Sequence, residues 1–249
     1  INEWLAVKAC DKFICVNPLI TDRIRATYPA SATKIDTQTT WVDTKVFSPS
    51  PFPQDGGLRI AFAGRLDLFK RPPLMFKTIA RLRERLGESV EFHYMGTSDP
   101  NRFPEFDAIR NAAVLHGFKS AQGVAEVLSS VHAGILTSEF EGMPFSVLET
   151  LGAGRPVCAV HLPQLESVIK DGVSGQLIAR SSDEDEMAVR LAETFIKTRA
   201  SIASGAVTPE GVAAQVSDFT PAKQLAKIYG NHRELQNRRY FGQRSTLAA

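Results

Sequence analysis

The chain has 249 residues, 43% hydrophobic and 22% charged, a make-up that excludes disordered, collagen-like and disulfide-scaffold classes. Its 29 Lys and Arg against 27 Asp and Glu leave a net charge of only +2, so no basic field marks it for nucleic acid. Cys10, Cys15 and Cys158 form neither a disulfide framework nor a zinc pattern and suit a reducing cytoplasm, and no run nears the roughly 18 apolar residues of a membrane span.

Taken in chain order, Glu3–Cys10 predicts a helix and Phe13–Val16 a short buried strand stopped by Asn17-Pro18. The Pro, Ser and Gly of 48–57 read as a linker. Strands and helices then alternate. Strands are expected at Leu58–Ala63, Val90–Met95, Ala113–His116, Ala133–Leu136, Pro156–Val160 and Gln176–Ala179, with helices at Pro72–Leu86, Pro104–Asn111, Gly123–Val131 and Pro144–Leu151. A long helix follows over Asp183–Arg199, opened by a capping box of Ser181 and Glu184, and further helices lie around Val212 and from Pro221 to about Arg239. This alternation predicts an α/β fold, a Rossmann-like doubly wound parallel sheet whose ligands bind outside the carboxyl ends of its strands.

Two of those strand ends carry chemistry. After Leu136 comes Ser138-Glu139-Phe140-Glu141-Gly142-Met143-Pro144-Phe145-Ser146-Val147-Leu148-Glu149. Pro144 suits a first helical turn, which leaves the amides of Phe145, Ser146 and Val147 to face an anion such as a diphosphate. Glu141 and Glu149 flank that point, and carboxylates accept hydrogen bonds from vicinal hydroxyls, one of a sugar and the other of a ribose. After Ala63 comes Gly64-Arg65-Leu66-Asp67-Leu68-Phe69-Lys70, where Arg65 and Lys70 can neutralise a departing diphosphate. Asp67 lacks a second carboxylate for a metal, so no metal and no cofactor is expected. The histidines share no local motif. His93 and His116 read as core residues, His132 and His161 sit at strand ends with His161 as a possible sugar contact, and Cys158 reads as a buried small hydrophobe.

These segments resemble the retaining glycosyltransferases of family four, of the GT-B type, in their carboxy-terminal nucleotide-sugar-binding domain. The likeness rests on Gly64-Arg65-Leu66 with Lys70, on the Glu141-x7-Glu149 spacing and on Gly154-Arg155-Pro156-Val157. Weaker echoes are Asp11–Ile24, Val42-Asp43-Thr44 with Phe47, Gly117-Phe118 and Asp171–Gly175. The resemblance implies that Arg65, Lys70 and Glu141 serve catalysis. Gly64, Gly142, Pro144, Phe145, Ser146, Val147 and Glu149 would hold the donor, with Gly117, Phe118 and Lys119 bordering the base. It further implies a nucleoside diphosphate sugar of the UDP or GDP type as substrate, a glycan or lipid-linked acceptor, and retention of anomeric configuration. The expected division is residues 1–20 as a connector from an absent upstream domain, 21–200 as the donor-nucleotide domain and 201–249 as a helical tail. Ile1 in place of an initiator Met fits a fragment or processed form. A cytoplasmic location is expected, with Arg238-Arg239-Tyr240 either exposed tail charge or a contact to a partner or the inner membrane face. Two departures stand out: Thr40-Trp41 where the family has Asn-Gly, and Pro163-Gln164 where it has Gly-Gly. Alternative readings are a non-catalytic nucleotide-sugar-binding module and, further off, a GT-B-type nucleotide-sugar epimerase.

Overall fold

Asn2 and Asn17 each accept a backbone N–H beyond them, from Trp4 at 3.2 Å and Ile20 at 2.9 Å, and so start two helices in the computed structural model, which describes residues 2–245. Helix α1 (Glu3–Ala9) leads to strand β1 (Phe13–Cys15), helix α2 (Pro18–Thr27) and strand β2 (Ile35–Thr37), which pairs parallel to β1. Val7, Cys15, Ile24 and Ile35 form their core. The strand ends before Asn17-Pro18 as expected, and the same pair also opens a helix, because proline costs nothing at a first helical position.

The chain divides into two compact units, one of the segments before Val42 and after Ser217, the other Val42–Ser217. These boundaries stand at 41 and 217 where the sequence reading sets 20 and 200.

The second unit runs β3 (Leu58–Ala63), α3 (Pro72–Leu86), β4 (Val90–Met95), β5 (Ala113–Gly117), α4 (Ala121–Ser129), β6 (Ala133–Leu136), α5 (Phe145–Gly152), β7 (Val157–Val160), β8 (Gly175–Ile178), α6 (Glu184–Ala203) and α7 (Pro209–Ala214). Helix α8 (Pro221–Ser245) belongs to the first unit, and the side chains of Arg238, Arg239 and Tyr240 lie outside those described. The six strands of the second unit lie in the order β5-β4-β3-β6-β7-β8, every pair parallel. The α/β, Rossmann-like reading holds. Continuous apolar runs make its inner strands: all four residues of β6 and of β7 are buried. Chain order reverses between β3 and β6, so the carboxyl ends of these two strands open a crevice.

Three local expectations change. Pro104–Ala112 winds as a 3-10 helix. Helix α6 is capped by Asp183, whose carboxylate accepts the amides of Asp185 and Glu186, while Ser181 instead bonds the Glu186 side chain. The 48–57 stretch is no free linker. Arg155, fully buried, donates to the carbonyls of Ser50, Pro51, Leu128 and Ser129 and to the Ser50 hydroxyl, and its guanidinium lies 4.9 Å from the Phe52 ring centre. Among the described residues no helix is long and apolar enough to cross a membrane.

Candidate active site

The carboxyl end of the sheet is spaced by glycines. Gly64 donates its N–H to the carbonyl of Met95 at 2.9 Å and Gly96 donates to that of Gly117 at 3.0 Å, carrying the parallel register past the strand ends. A Cβ on Gly96 would fall 2.3 Å from the Gly64 carbonyl oxygen, so any larger residue there would push the Gly64 loop away. Behind that loop, Ser98 accepts the Leu66 amide at 3.0 Å and Arg102 donates to the Leu66 carbonyl at 2.9 Å. The segment bearing Arg65 is thus braced from β4's side.

In front of these glycines opens a cavity of about 570 Å³, lined by Gly64, Arg65 and Lys70 from the β3 end and by Glu141, Pro144, Phe145, Ser146 and Glu149 from the loop after β6 and helix α5. Phe118, Lys119 and Val124 close its far side. Met95, Gly96 and Thr97 line it too, a strand end that sequence reasoning passed over although a glycine directly after a strand repeats the signal seen at Gly64. Gly117, Gly142 and Val147 are not among the lining residues; Gly117 turns the chain at φ +67° just before Phe118, and Val147 buries its side chain in the core.

The helix start differs in detail from expectation. Pro144 is the residue before the first helical turn, with extended backbone, and it caps the helix with no side-chain bond. Its carbonyl accepts the Val147 amide at 3.2 Å, so of the three expected amides those of Phe145 and Ser146 remain for a ligand.

The two cations are held differently. Arg65 is 83% exposed and lies 3.5 Å from Asp67. Asp67 also caps the next turn by accepting the Lys70 amide at 3.3 Å, so its carboxylate is committed. Lys70 forms an ion pair with Glu141, and the Glu141 carboxylate also accepts the Ser138 hydroxyl at 2.7 Å. Thr137, fully buried, donates to the Lys70 carbonyl at 2.6 Å. Arg71 then takes a left-handed conformation, φ 51°, with its guanidinium on Glu184 at 2.9 Å. Together these contacts aim Lys70 inward and Arg71 away.

Glu149 has no side-chain hydrogen-bond partner among the described residues, and burial pushes its carboxyl above the ordinary carboxylate range. A half-buried acceptor that lines the cavity without a protein partner is suited to ligand hydroxyls. Elsewhere, His93 bonds His116 at 3.1 Å and Glu91 at 3.0 Å, and His132 accepts the Arg59 amide at 3.1 Å. His161 bonds Glu166 at 2.7 Å and does not line the cavity. Cys158 is buried against Thr198. Among the described residues no group of three or more His, Cys, Asp or Glu side chains could hold a metal ion.

The family described as glycosyl transferases group 1 matches residues 57–195, more than half of the chain and all of the cavity. This chain belongs to that family. Among group 1 relatives, the D-inositol 3-phosphate glycosyltransferase of Paenarthrobacter aurescens is 27% identical over 192 residues, 71% of this chain and 47% of that protein. That of Mycobacterium marinum is 24% identical over 237 residues, 88% of this chain and 49% of that protein. The chain spans about half the length of the curated relatives it matches. In structure it is similar to the pneumococcal O-GlcNAc transferase GtfA in complex with UDP and GlcNAc, with a TM-score of 0.75 at 18% identity over 94% of this chain and 47% of the other. Anabaena HepE, in complex with UDP and glucose, gives 0.68 at 16% identity over 92% and 65%. Both likenesses bear on the fold alone, an α/β, Rossmann-like arrangement shared with GT-B glycosyltransferases.

Proposed function

We propose that this chain carries the donor site of a retaining glycosyltransferase that uses a nucleoside diphosphate sugar of the UDP or GDP type. The observation that carries the reading is the convergence, in one cavity, of Lys70 and Arg65, the open amides of Phe145 and Ser146, and the unpaired Glu149. The diphosphate lies against the amides and the two cations. Glu149, within the helix, takes the ribose hydroxyls, and Glu141, before it, takes the hydroxyls of the transferred sugar. Phe118 and Lys119 border the base.

In the reaction, the bond from the sugar's anomeric carbon to the leaving phosphate oxygen breaks, and the acceptor hydroxyl bonds to that carbon on the same face. The acceptor's proton passes to the leaving diphosphate. Lys70 and Arg65 stabilise the negative charge that gathers on that diphosphate and need no metal to do so. The acceptor, and the second domain that would present it, belong to the same proposal. The relatives are named for D-inositol 3-phosphate, so a polyol phosphate joins glycan and lipid-linked hydroxyls among the acceptors to assay.

Calorimetric titration of the chain with UDP, GDP and ADP tests the reading. Saturable binding of UDP or GDP, weakened by Glu149→Gln, is the expected result; binding to neither would sink it.

A further inference from the structure

The Pro163-Gln164 departure lies beside the candidate site. After β7 the chain turns through a 3-10 helix, Pro163–Ser167, that buries Leu165 and leaves Gln164 only 8% exposed. The Gln164 carboxamide nitrogen donates to the main-chain carbonyl of Glu141 at 2.5 Å, and the Ser167 hydroxyl donates to the Gln164 carbonyl at 2.8 Å. A carbonyl can only accept, so the amide orientation is forced: nitrogen toward Glu141. Gln164 thereby ties the loop after β6 to the end of β7.

We propose that Gln164 is a positioning residue for Glu141, setting how its carboxylate meets the transferred sugar. This rests on the donor-site reading above. The Glu141 carboxylate is held by Lys70 and Ser138. A diphosphate competes for the Lys70 ammonium and draws it off, because phosphate oxygens are strong acceptors for the same donors. Ser138 and Gln164 then remain to keep Glu141 at the cavity wall. Gln164 therefore matters when Lys70 is occupied and a sugar is present, and matters little for a sugarless diphosphate. A residue that merely packed the turn would affect both ligands alike.

The experiment compares wild type, Gln164→Ala, Glu141→Gln and the double variant by titration with UDP, UDP-glucose, GDP and GDP-mannose, using whichever matched pair wild type binds most tightly. Gln164→Ala should leave the diphosphate dissociation constant within about twofold and weaken the nucleotide sugar about five- to tenfold, the scale of one hydrogen bond. In the Glu141→Gln background the same substitution should add less than about twofold, since its effect passes through Glu141. If Gln164→Ala unfolds the chain, Gln164→Met keeps the side chain's size, removes the donor without adding charge and should give the same split. Equal weakening of both ligands, or independent addition in the double variant, overturns the proposal. Wild type that binds neither member of any pair would overturn the donor-site reading instead, and the proposal with it.

Discussion

Arg65 and Lys70 look equivalent in sequence and are not equivalent in the fold. Arg65 stands in solvent, so Arg65→Ala should weaken diphosphate binding by about 1.5–3 kcal/mol while shifting stability by no more than about 0.5 kcal/mol. Lys70 is the counterion of a mostly buried Glu141, so Lys70→Ala should weaken the same ligand and also lower the melting temperature, by the cost of leaving that carboxylate unpaired. Calorimetry and thermal melting of both variants separate the two. Glu149 poses the opposite case. Its folded carboxyl titrates above its unfolded value, so the folded state holds the proton more tightly and stability falls as pH rises from the ordinary carboxylate range through the raised value. Glu149→Gln should therefore raise the melting temperature at pH 8, change it little at pH 4, and weaken nucleotide binding at pH 8. A variant that melts earlier at pH 8 would contradict the burial argument. The Glu-x7-Glu spacing was legible because both carboxylates and the helix start between them are local in sequence. Gly96 and Ser98, which follow β4, and the contact that Gln164 makes from beyond β7 were not, because those segments lie far from the Glu-x7-Glu stretch in sequence.

Among the elements, those most readable in sequence were strands buried on both faces and helices with a continuous apolar stripe. Leu58–Ala63, Val90–Met95, Ala133–Leu136 and Pro72–Leu86 form where their composition places them. Helix α2 escaped notice because its polar composition gives little periodicity and Asn17-Pro18 can stop one element while starting the next. The 48–57 segment was misread for a related reason: Pro and Ser mark irregular backbone but say nothing of what satisfies it. Here Arg155 does, from the turn before β7, and burial lowers its pKa to about 10, which leaves it charged at neutral pH. Arg155→Ala removes the donor from four main-chain carbonyls and opens a void beside Phe52, so a loss of about 3–5 kcal/mol is expected in urea unfolding. Arg155→Lys should recover little, since one ammonium cannot serve so many divergent acceptors. A loss below about 1 kcal/mol for either would mean that the segment is held by something else.

For the whole molecule, anion binding by cations and amides predicts independence from divalent ions. Chelator-treated protein should bind its nucleoside diphosphate with unchanged affinity, and affinity that vanished with EDTA and returned with Mg²⁺ or Mn²⁺ would contradict it. The sheet order carries one more consequence, for how the chain comes into being. Ile60 pairs with Phe92 on one side and with Ala133 on the other, while β3 precedes both partners. On a ribosome delivering about 5–20 residues per second, β3 and β4 can join early, but the opposite edge of β3 must wait for β6. Through that interval Ile60 and Phe62 have a naked flank. The strand that later carries Gly64 and Arg65 to the cavity thus passes some seconds of synthesis with one edge unpaired, open to wrong partners until β6 arrives.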